Sequence, residues 1–319
     1  MSATAFVFPG QGSQYVGMGE ALATASPVAA RVFAEADAAL GEPLSRLAWG
    51  GPEETLNRTE QAQPALLATS IAYLEILRDR SAAADEAIAP AFMAGHSMGQ
   101  YSAMVAAGVL SLRDGIRLVR ERGRQMQASG AGRDGAMAAI LGLDDAALPA
   151  LVEGASAHGI FAVANRNSPG QVVVSGERAA IDAAAEIARQ LGARRAVVLP
   201  VSVAAHSPLM AEAAAAMRPI LAGVTFHDPT TPLLANADAR PLTTGEACRA
   251  ELVEHLTAGV DWVRAVETMR ASGVTSFVEV GPGKVLTGLV KRIAPDASVF
   301  ALDEPVVPDR FAFPTAVPA

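Results

Sequence analysis

Gly95-His96-Ser97-Met98-Gly99 is the stretch of this chain with the clearest chemical potential. A G-x-S-x-G sequence between an apolar run (Ala91 to Ala94) and an alanine- and methionine-rich segment (Gln100 to Leu110) has the strand, sharp turn and helix context of a nucleophile elbow. Such a turn holds the serine at a strained backbone position. The flanking glycines let strand and helix approach without side-chain clashes. A serine nucleophile needs a base, and histidine is the usual one at neutral pH. Five histidines are available: His96, His158, His206, His227 and His255. The side chain of His96, inside the elbow, would point away from that of Ser97. His206 stands best by position, just past an apolar segment and before a Ser-Pro helix start. No acid between Ser97 and His206 sits at a core strand end, so a lipase-like Ser-acid-His order fits badly.

A second candidate lies on the helix predicted from Ser111 to about Gln127. Leu112, Ile116, Val119 and Met126 recur at helical spacing as its buried stripe. Arg113, Arg117, Arg120 and Arg124 cluster on one flank, which reads as a solvated face. Arg122 falls on the other flank, at the edge of the stripe. An arginine there needs a partner, because unpaired burial of a charge is costly. The plain reading of that partner is an acid in a structural salt bridge.

These side chains must be positioned by surrounding elements. Thr4 to Phe8 reads as a first strand, followed by the loop Gly10-Gln11-Gly12-Ser13-Gln14. The loop lacks the third glycine of a dinucleotide fingerprint, since Tyr15 stands there. Helices are expected at Pro27 to Leu40 and Thr59 to Leu77, then a small-residue linker at 81–89 and the elbow strand. Alternation of helix and strand implies an α/β fold with a parallel sheet. After a glycine-rich break at 130–135 the order becomes β-α-β-β-α-β up to Leu199, the split pattern of ferredoxin-like domains. We therefore expect a core of residues 1–134 and 201–319 and an inserted small subdomain of residues 135–200. Further helices are expected at 210–221, 246–256 and 262–272, a possible strand at 232–236, and a strand at 276–280. Gly281-Pro282-Gly283-Lys284 then opens a last helix. It is not a P-loop, because Val285 follows the lysine. The tail after Leu302 reads as irregular.

Composition narrows the function classes. Half the residues are hydrophobic and 18% are charged, which excludes a disordered chain. No run of about 18 apolar residues is present, so no membrane span is expected. A net charge of −8 argues against a nucleic-acid partner. The single cysteine, Cys248, supports neither an internal disulfide nor a metal cluster. No signal peptide is evident, and a cytoplasmic monomer is expected.

Taken in order, several stretches resemble the malonyl-CoA:acyl carrier protein transacylase family, which includes the acyltransferase domains of polyketide synthases. They are Phe8-Pro9-Gly10-Gln11-Gly12-Ser13-Gln14, Gly95-His96-Ser97-Met98-Gly99-Gln100-Tyr101-Ser102-Ala103, Arg120-Glu121-Arg122-Gly123 with Met126-Gln127, Asn167-Ser168-Pro169-Gly170-Gln171, Val201-Ser202-Val203 with His206, and Glu279-Val280-Gly281-Pro282-Gly283-Lys284-Val285-Leu286. The resemblance implies a hydrolase-like α/β core with a ferredoxin-like insert. It implies Ser97 as the acylated nucleophile, His206 as base and then acid, and the backbone N–H groups of Gln11 and Met98 as oxyanion hole. Arg122 would pair bidentately with the malonyl carboxylate, a geometry suited to a planar fork. Malonyl-CoA would be the donor and the phosphopantetheine thiol of acyl carrier protein the acceptor, with no tightly bound cofactor and no metal.

Two positions depart from the family. His255 stands where glutamine is usual at the histidine-orienting position. Ala205 leaves more room in the acyl pocket than the phenylalanine common in malonyl-selective polyketide domains, so methylmalonyl fits sterically. Met98, in place of the glutamine common in methylmalonyl-selective domains, favours malonyl. A stand-alone chain favours fatty acid synthesis. The alternatives are a trans-acting polyketide acyltransferase and a serine hydrolase or thioesterase. An acidic carrier would need local positive charge, for which Arg194, Arg195, Lys291 and Arg292 are the candidates.

Overall fold

The computed structural model describes residues 3–83, 88–199, 201 and 203–302. Its strands, in chain order, are β1 (Ala3–Phe8), β2 (Phe92–Gly95), β3 (Gly135–Leu141), β4 (Phe161–Ser168), β5 (Gln171–Glu177), β6 (Arg195–Val198), β7 (Leu233–Leu234), β8 (Pro241–Leu242), β9 (Val260–Asp261), β10 (Val274–Glu279) and β11 (Ser298–Ala301). They form two sheets. The larger runs β11-β10-β1-β2-β7-β8, parallel except for the short edge strand β8. Its central strands are buried on both faces. Phe6, Phe8 and Met93 pack towards one side with helix Thr59–Ala83, while Ala5, Val7, Ala94 and Phe277 pack towards the other with Trp262 and Leu289. Continuous apolar runs such as Ala5 to Phe8 therefore carry no alternation, as expected of parallel strands covered by helices on both sides.

The smaller sheet runs β6-β3-β5-β4-β9. Its first four strands are antiparallel neighbours, the spatial order of a split β-α-β-β-α-β unit. The helices Leu148–Ser156 and Arg178–Gln190 cover one face through Leu151, Ala155, Ile181, Ala184 and Ala188. The fifth strand, β9, comes from far along the chain and pairs parallel with β4. The pair is reinforced by Arg166, which bonds Asp261 at 2.8 Å.

The local expectations hold with several differences. Pro27–Leu40 is a helix with Ser26 as its cap. The helix begun at Thr59 continues to Ala83, into the segment expected to be a linker. Helix Leu112–Gly130 starts where Ser111 accepts the Asp114 amide at 3.0 Å, and it runs three residues beyond Gln127. Arg113, Arg117 and Arg124 are exposed, but Arg120 is buried, bonded to Gln61 at 2.9 Å and paired with Glu42. Gln61 of helix Thr59–Ala83 and Glu42, just after helix Pro27–Leu40, cover it at that turn. Strands β8, β9 and β11 were not expected; the first two hold two residues each and carry no periodicity. The Gly281-to-Lys284 turn also has a physical explanation. The buried Glu279 carboxylate accepts the amides of Leu286 at 3.0 Å and Thr287 at 2.6 Å, filling the helix N-terminus that a phosphate would occupy in a P-loop. The expected linker residues 84–87, Pro200 and Ser202 of the return segment, and the tail after Leu302 lie outside the described residues.

Candidate active site

The elbow forms as the glycine spacing requires. Ser97 has φ 53°, and the helix Gly99–Ala106 begins two residues later. A Cβ on Gly95 would lie 2.0 Å from the Gly99 carbonyl carbon, and one on Gly99 2.2 Å from the Phe8 carbonyl oxygen. Both positions therefore exclude any side chain. Left-handed backbone at a serine costs of order 1–3 kcal/mol, so surrounding bonds must hold it. They come from two side-chain amides. Gln100 accepts the Gly95 amide at 3.2 Å and donates to the Leu234 carbonyl at 2.9 Å. Asn236 accepts the Ser97 amide at 2.8 Å and donates to the Gly95 carbonyl at 3.0 Å.

His206 reaches this turn from the segment that follows the small sheet. Its Nε2 lies 2.7 Å from Ser97 Oγ. Its Nδ1 faces the carbonyl oxygens of His255 at 2.7 Å and Ala258 at 3.0 Å. Two carbonyls can only accept, so Nδ1 carries the proton and Nε2 is left as the acceptor for the serine hydroxyl. Among the described residues no carboxylate bonds His206, which agrees with the poor fit of a Ser-acid-His order in the sequence. The imidazole is 3% exposed. Burial, and then the positive charge of Arg122, push its pKa down to about 4, against the opposing pull of the two carbonyl bonds. At neutral pH it is the unprotonated base.

Arg122 completes the group. It is 1% exposed, donates Nη1 to Gln63 Oε1 at 2.9 Å, and places Nη2 3.3 Å from Ser97 Oγ. The close approach of its helix to Thr59–Ala83 makes this contact, since a Cβ on Gly123 would lie 2.6 Å from the Glu60 Cα. Among the described residues no carboxylate pairs with Arg122, and its Nε has no hydrogen-bond partner. The structural salt bridge that the sequence suggests is therefore absent there. Desolvation pulls the guanidinium below its ordinary pKa. A cation buried this way is costly unless an anion joins it.

The remaining expected residues gather around these three. Phe8 and the loop after it abut the elbow: the His96 amide donates to the Phe8 carbonyl at 3.0 Å, and a Cβ on Gly10 would lie 2.6 Å from the His96 carbonyl oxygen. Gln11 is exposed in that loop, and its side chain reaches Thr59 Oγ1 at 3.4 Å. Met98 is the first residue after the serine and precedes the helix. His96 points away from Ser97, to Asn167 Oδ1 of the small sheet at 2.8 Å. Ala205 packs against both the main core and the cluster of Met137, Ala164 and Val173 in the small sheet. The site thus lies where the two sheets meet. His255 is wholly buried, with neither ring nitrogen hydrogen-bonded, edge-on to Tyr101 at 6.0 Å and 4.0 Å from Glu251. It serves His206 through its main-chain carbonyl. His158 and His227 take no part. Gln63 and Asn236 were not singled out from sequence, because a lone amide on a helix or after a short strand carries no pattern.

A hydroxyl on a neutral imidazole, beside a buried unpaired guanidinium, is suited to acyl transfer from a substrate that carries a negative charge. Among the described residues no cluster of acids, histidines or cysteines is arranged to hold a metal ion. Among the described residues no helix is long and apolar enough to cross a membrane.

Comparison with known proteins agrees with this chemistry. Residues 5–302 match the family model described as acyl transferase domain. The chain is 47% identical to the malonyl CoA-acyl carrier protein transacylase of Escherichia coli K12 over 305 residues, covering 96% of this chain and 97% of that one. Among solved structures, an acyl carrier protein S-malonyltransferase from Vibrio cholerae is 42% identical, with a TM-score of 0.91 and coverage of 95% and 97%. A malonyl-transacylase solved in complex with a type II polyketide synthase acyl carrier protein is 43% identical, with a TM-score of 0.89, over 95% of this chain and 96% of that one. An elbow serine, a carbonyl-held histidine and a full-length family match together make this chain a member of the acyl transferase family.

Proposed function

We propose that this chain transfers a malonyl group from malonyl-CoA to the phosphopantetheine thiol of an acyl carrier protein, supplying extender units for fatty acid synthesis. The observation that carries the reading is the buried, carboxylate-free guanidinium of Arg122, 3.3 Å from the hydroxyl that would be acylated. A thioesterase or simple hydrolase of uncharged acyl groups has no use for it. The malonyl carboxylate would accept a fork of two N–H bonds from it, which fixes the thioester carbon over Ser97.

In the first half-reaction Ser97 Oγ attacks the thioester carbon and His206 Nε2 takes its proton. The oxyanion is held by the amides of Gln11 and Met98, neither of which has a partner among the described backbone hydrogen bonds. The C–S bond then breaks and His206 returns the proton to the departing CoA sulfur. In the second half-reaction the pantetheine thiol gives its proton to Nε2 and its sulfur attacks the malonyl ester. The C–O bond breaks and Ser97 recovers the proton, which is ping-pong transfer through a malonyl-serine ester.

The four basic docking candidates support a single carrier-binding face. Arg195, Leu141 and Gln171 lie abreast on β6, β3 and β5, and Arg292 reaches across to Gln171 Oε1. Arg194, Arg195, Lys291 and Arg292 are all exposed. The test of the function is incubation with labelled malonyl-CoA. A malonyl-enzyme that persists until carrier protein discharges it supports transfer. Prompt release of free malonate without carrier protein overturns it. The relative in complex with a polyketide carrier protein makes a polyketide acceptor the second reading. Rates with fatty-acid and polyketide carriers from the same cell distinguish the two.

A further inference from the structure

We propose that Asn236 is the positioning residue that holds the nucleophile elbow in its reactive shape, and that Glu251 couples this clamp to the element that orients His206. The inference rests on Ser97 being the acylated residue.

Asn236 follows β7 and is 4% exposed. Its side chain bridges the turn, accepting from the Ser97 amide at 2.8 Å and donating to the Gly95 carbonyl at 3.0 Å. With Ser97 at φ 53°, the elbow helix starts only at Gly99, so neither group has a place in the helical ladder. A primary amide supplies one acceptor and one donor at fixed spacing. A carboxylate supplies no donor, and an apolar side chain supplies neither. Leaving both backbone groups buried and unbonded would release the serine towards an ordinary turn.

The backbone of Asn236 is itself held. Its amide donates to Glu251 Oε1 at 2.7 Å, and Glu251 is 1% exposed. Glu251 stands on helix Gly245–Thr257, one turn before His255, whose carbonyl fixes His206 Nδ1. A continuous path therefore runs from Ser97 through Asn236 and Glu251 to the helix end that aims the imidazole. It joins the two sides of the 2.7 Å contact between Ser97 Oγ and His206 Nε2. Arg240, 3.6 Å from Glu251, anchors the outer side of the path. Asn236 touches neither Arg122 nor the loop of Gln11 in any described hydrogen bond, so its loss should leave substrate binding in place.

Rapid-quench acylation by malonyl-CoA tests the clamp, with Asn236→Ala and Asn236→Ser compared with the wild type and with Ser97→Ala. We expect the rate of acylation to fall about 10–100-fold in both Asn236 variants, with the malonyl-CoA concentration for half-maximal rate unchanged. Glu251→Ala should show the same signature at smaller amplitude. A folded Asn236 variant that acylates within about twofold of the wild-type rate overturns the proposal, as does one that loses only substrate affinity. In the wild-type protein the Ser97 amide should be strongly protected from hydrogen exchange, a reading that needs no variant; free exchange there also overturns it. Ser97→Ala that still traps malonyl would refute the nucleophile assignment instead, so the two failures are distinct.

Discussion

Arg122 Nη2 lies 3.3 Å from Ser97 Oγ, and the guanidinium is 1% exposed without a carboxylate partner among the described residues. A buried cation kept beside a nucleophile is expensive to fold and useful only when an anion arrives. Arg122→Met should lower the specificity constant for malonyl-CoA by about 30- to 5,000-fold, the range for losing one partner of a buried charge pair. It should raise relative use of acetyl-CoA. Competition between labelled malonyl- and acetyl-CoA measures the ratio; an unchanged ratio would falsify the carboxylate role. The same variant should unfold at higher temperature than the wild type, because it removes an unpaired buried charge and orphans no acid.

Arg122 also depresses the pKa of His206, second only to burial. A malonyl carboxylate bound to Arg122 cancels that charge. The acid limb of kcat should therefore lie at higher pH than the acid limb of kcat/KM, which reports the free enzyme. In Arg122→Met the free-enzyme limb should move up, towards the ordinary histidine range. Paired pH profiles of the acylation half-reaction check both shifts; coincident limbs would reject the coupling.

Three histidines, the half-buried His96 and the buried His206 and His255, have pKa values held below the usual 6.5, all chiefly by desolvation. For such groups the unfolded chain binds protons that the folded chain refuses. Their contribution to stability is complete above about pH 6.5 and declines as pH falls towards the folded-state pKa, near 4 for His206. Resistance to urea should therefore weaken steadily below about pH 6.5. His255→Gln should flatten this slope, since glutamine does not titrate. It should leave kcat within about threefold of wild type, because His206 is oriented by the main-chain carbonyl at position 255.

Charge reversal at Arg195 or Arg292 should raise KM for the acyl carrier protein several-fold while leaving malonyl-CoA hydrolysis and acylation rates unchanged, and the effect should shrink at high salt. Steady-state kinetics at two ionic strengths provide the measurement. Indifference of the second half-reaction to both substitutions would move the docking face elsewhere.

Gly99→Ala is expected to be more damaging than most alanine substitutions, because its Cβ would enter the Phe8 carbonyl at 2.2 Å. Strand β1 and the elbow helix would have to separate, so both thermal stability and acylation should fall together. Circular dichroism melts alongside acylation assays report the pair.

Much of this molecule is written in local pattern. The elbow, the Ser111 cap and the β-α-β-β-α-β order follow from glycine placement, capping chemistry and hydrophobic period, which act over a few residues. The sequence order also fitted a lipase-like Ser-acid-His triad badly, and the carbonyls of His255 and Ala258 occupy that place. What local pattern could not supply were contacts between distant segments. Arg120 reads as a surface residue because its own helix does not reveal Glu42 and Gln61 packing over it. Strands β8 and β9 are two residues long, and only their neighbours make them strands.

The sequence by itself determined that Ser97 sits in a nucleophile elbow, that His206 is its best-placed base, and that Arg122 lies off the solvated face of its helix, at the edge of the buried stripe. Each of those rests on residue type and spacing along one element. Only the tertiary structure decided that Arg122 meets the serine rather than an acid, that the Ala258 carbonyl joins that of His255 at His206 Nδ1, and that Asn236 clamps the turn. Those relations join residues 25 to 139 positions apart. No periodicity encodes them, because they exist only once both sheets and the helices between them have packed.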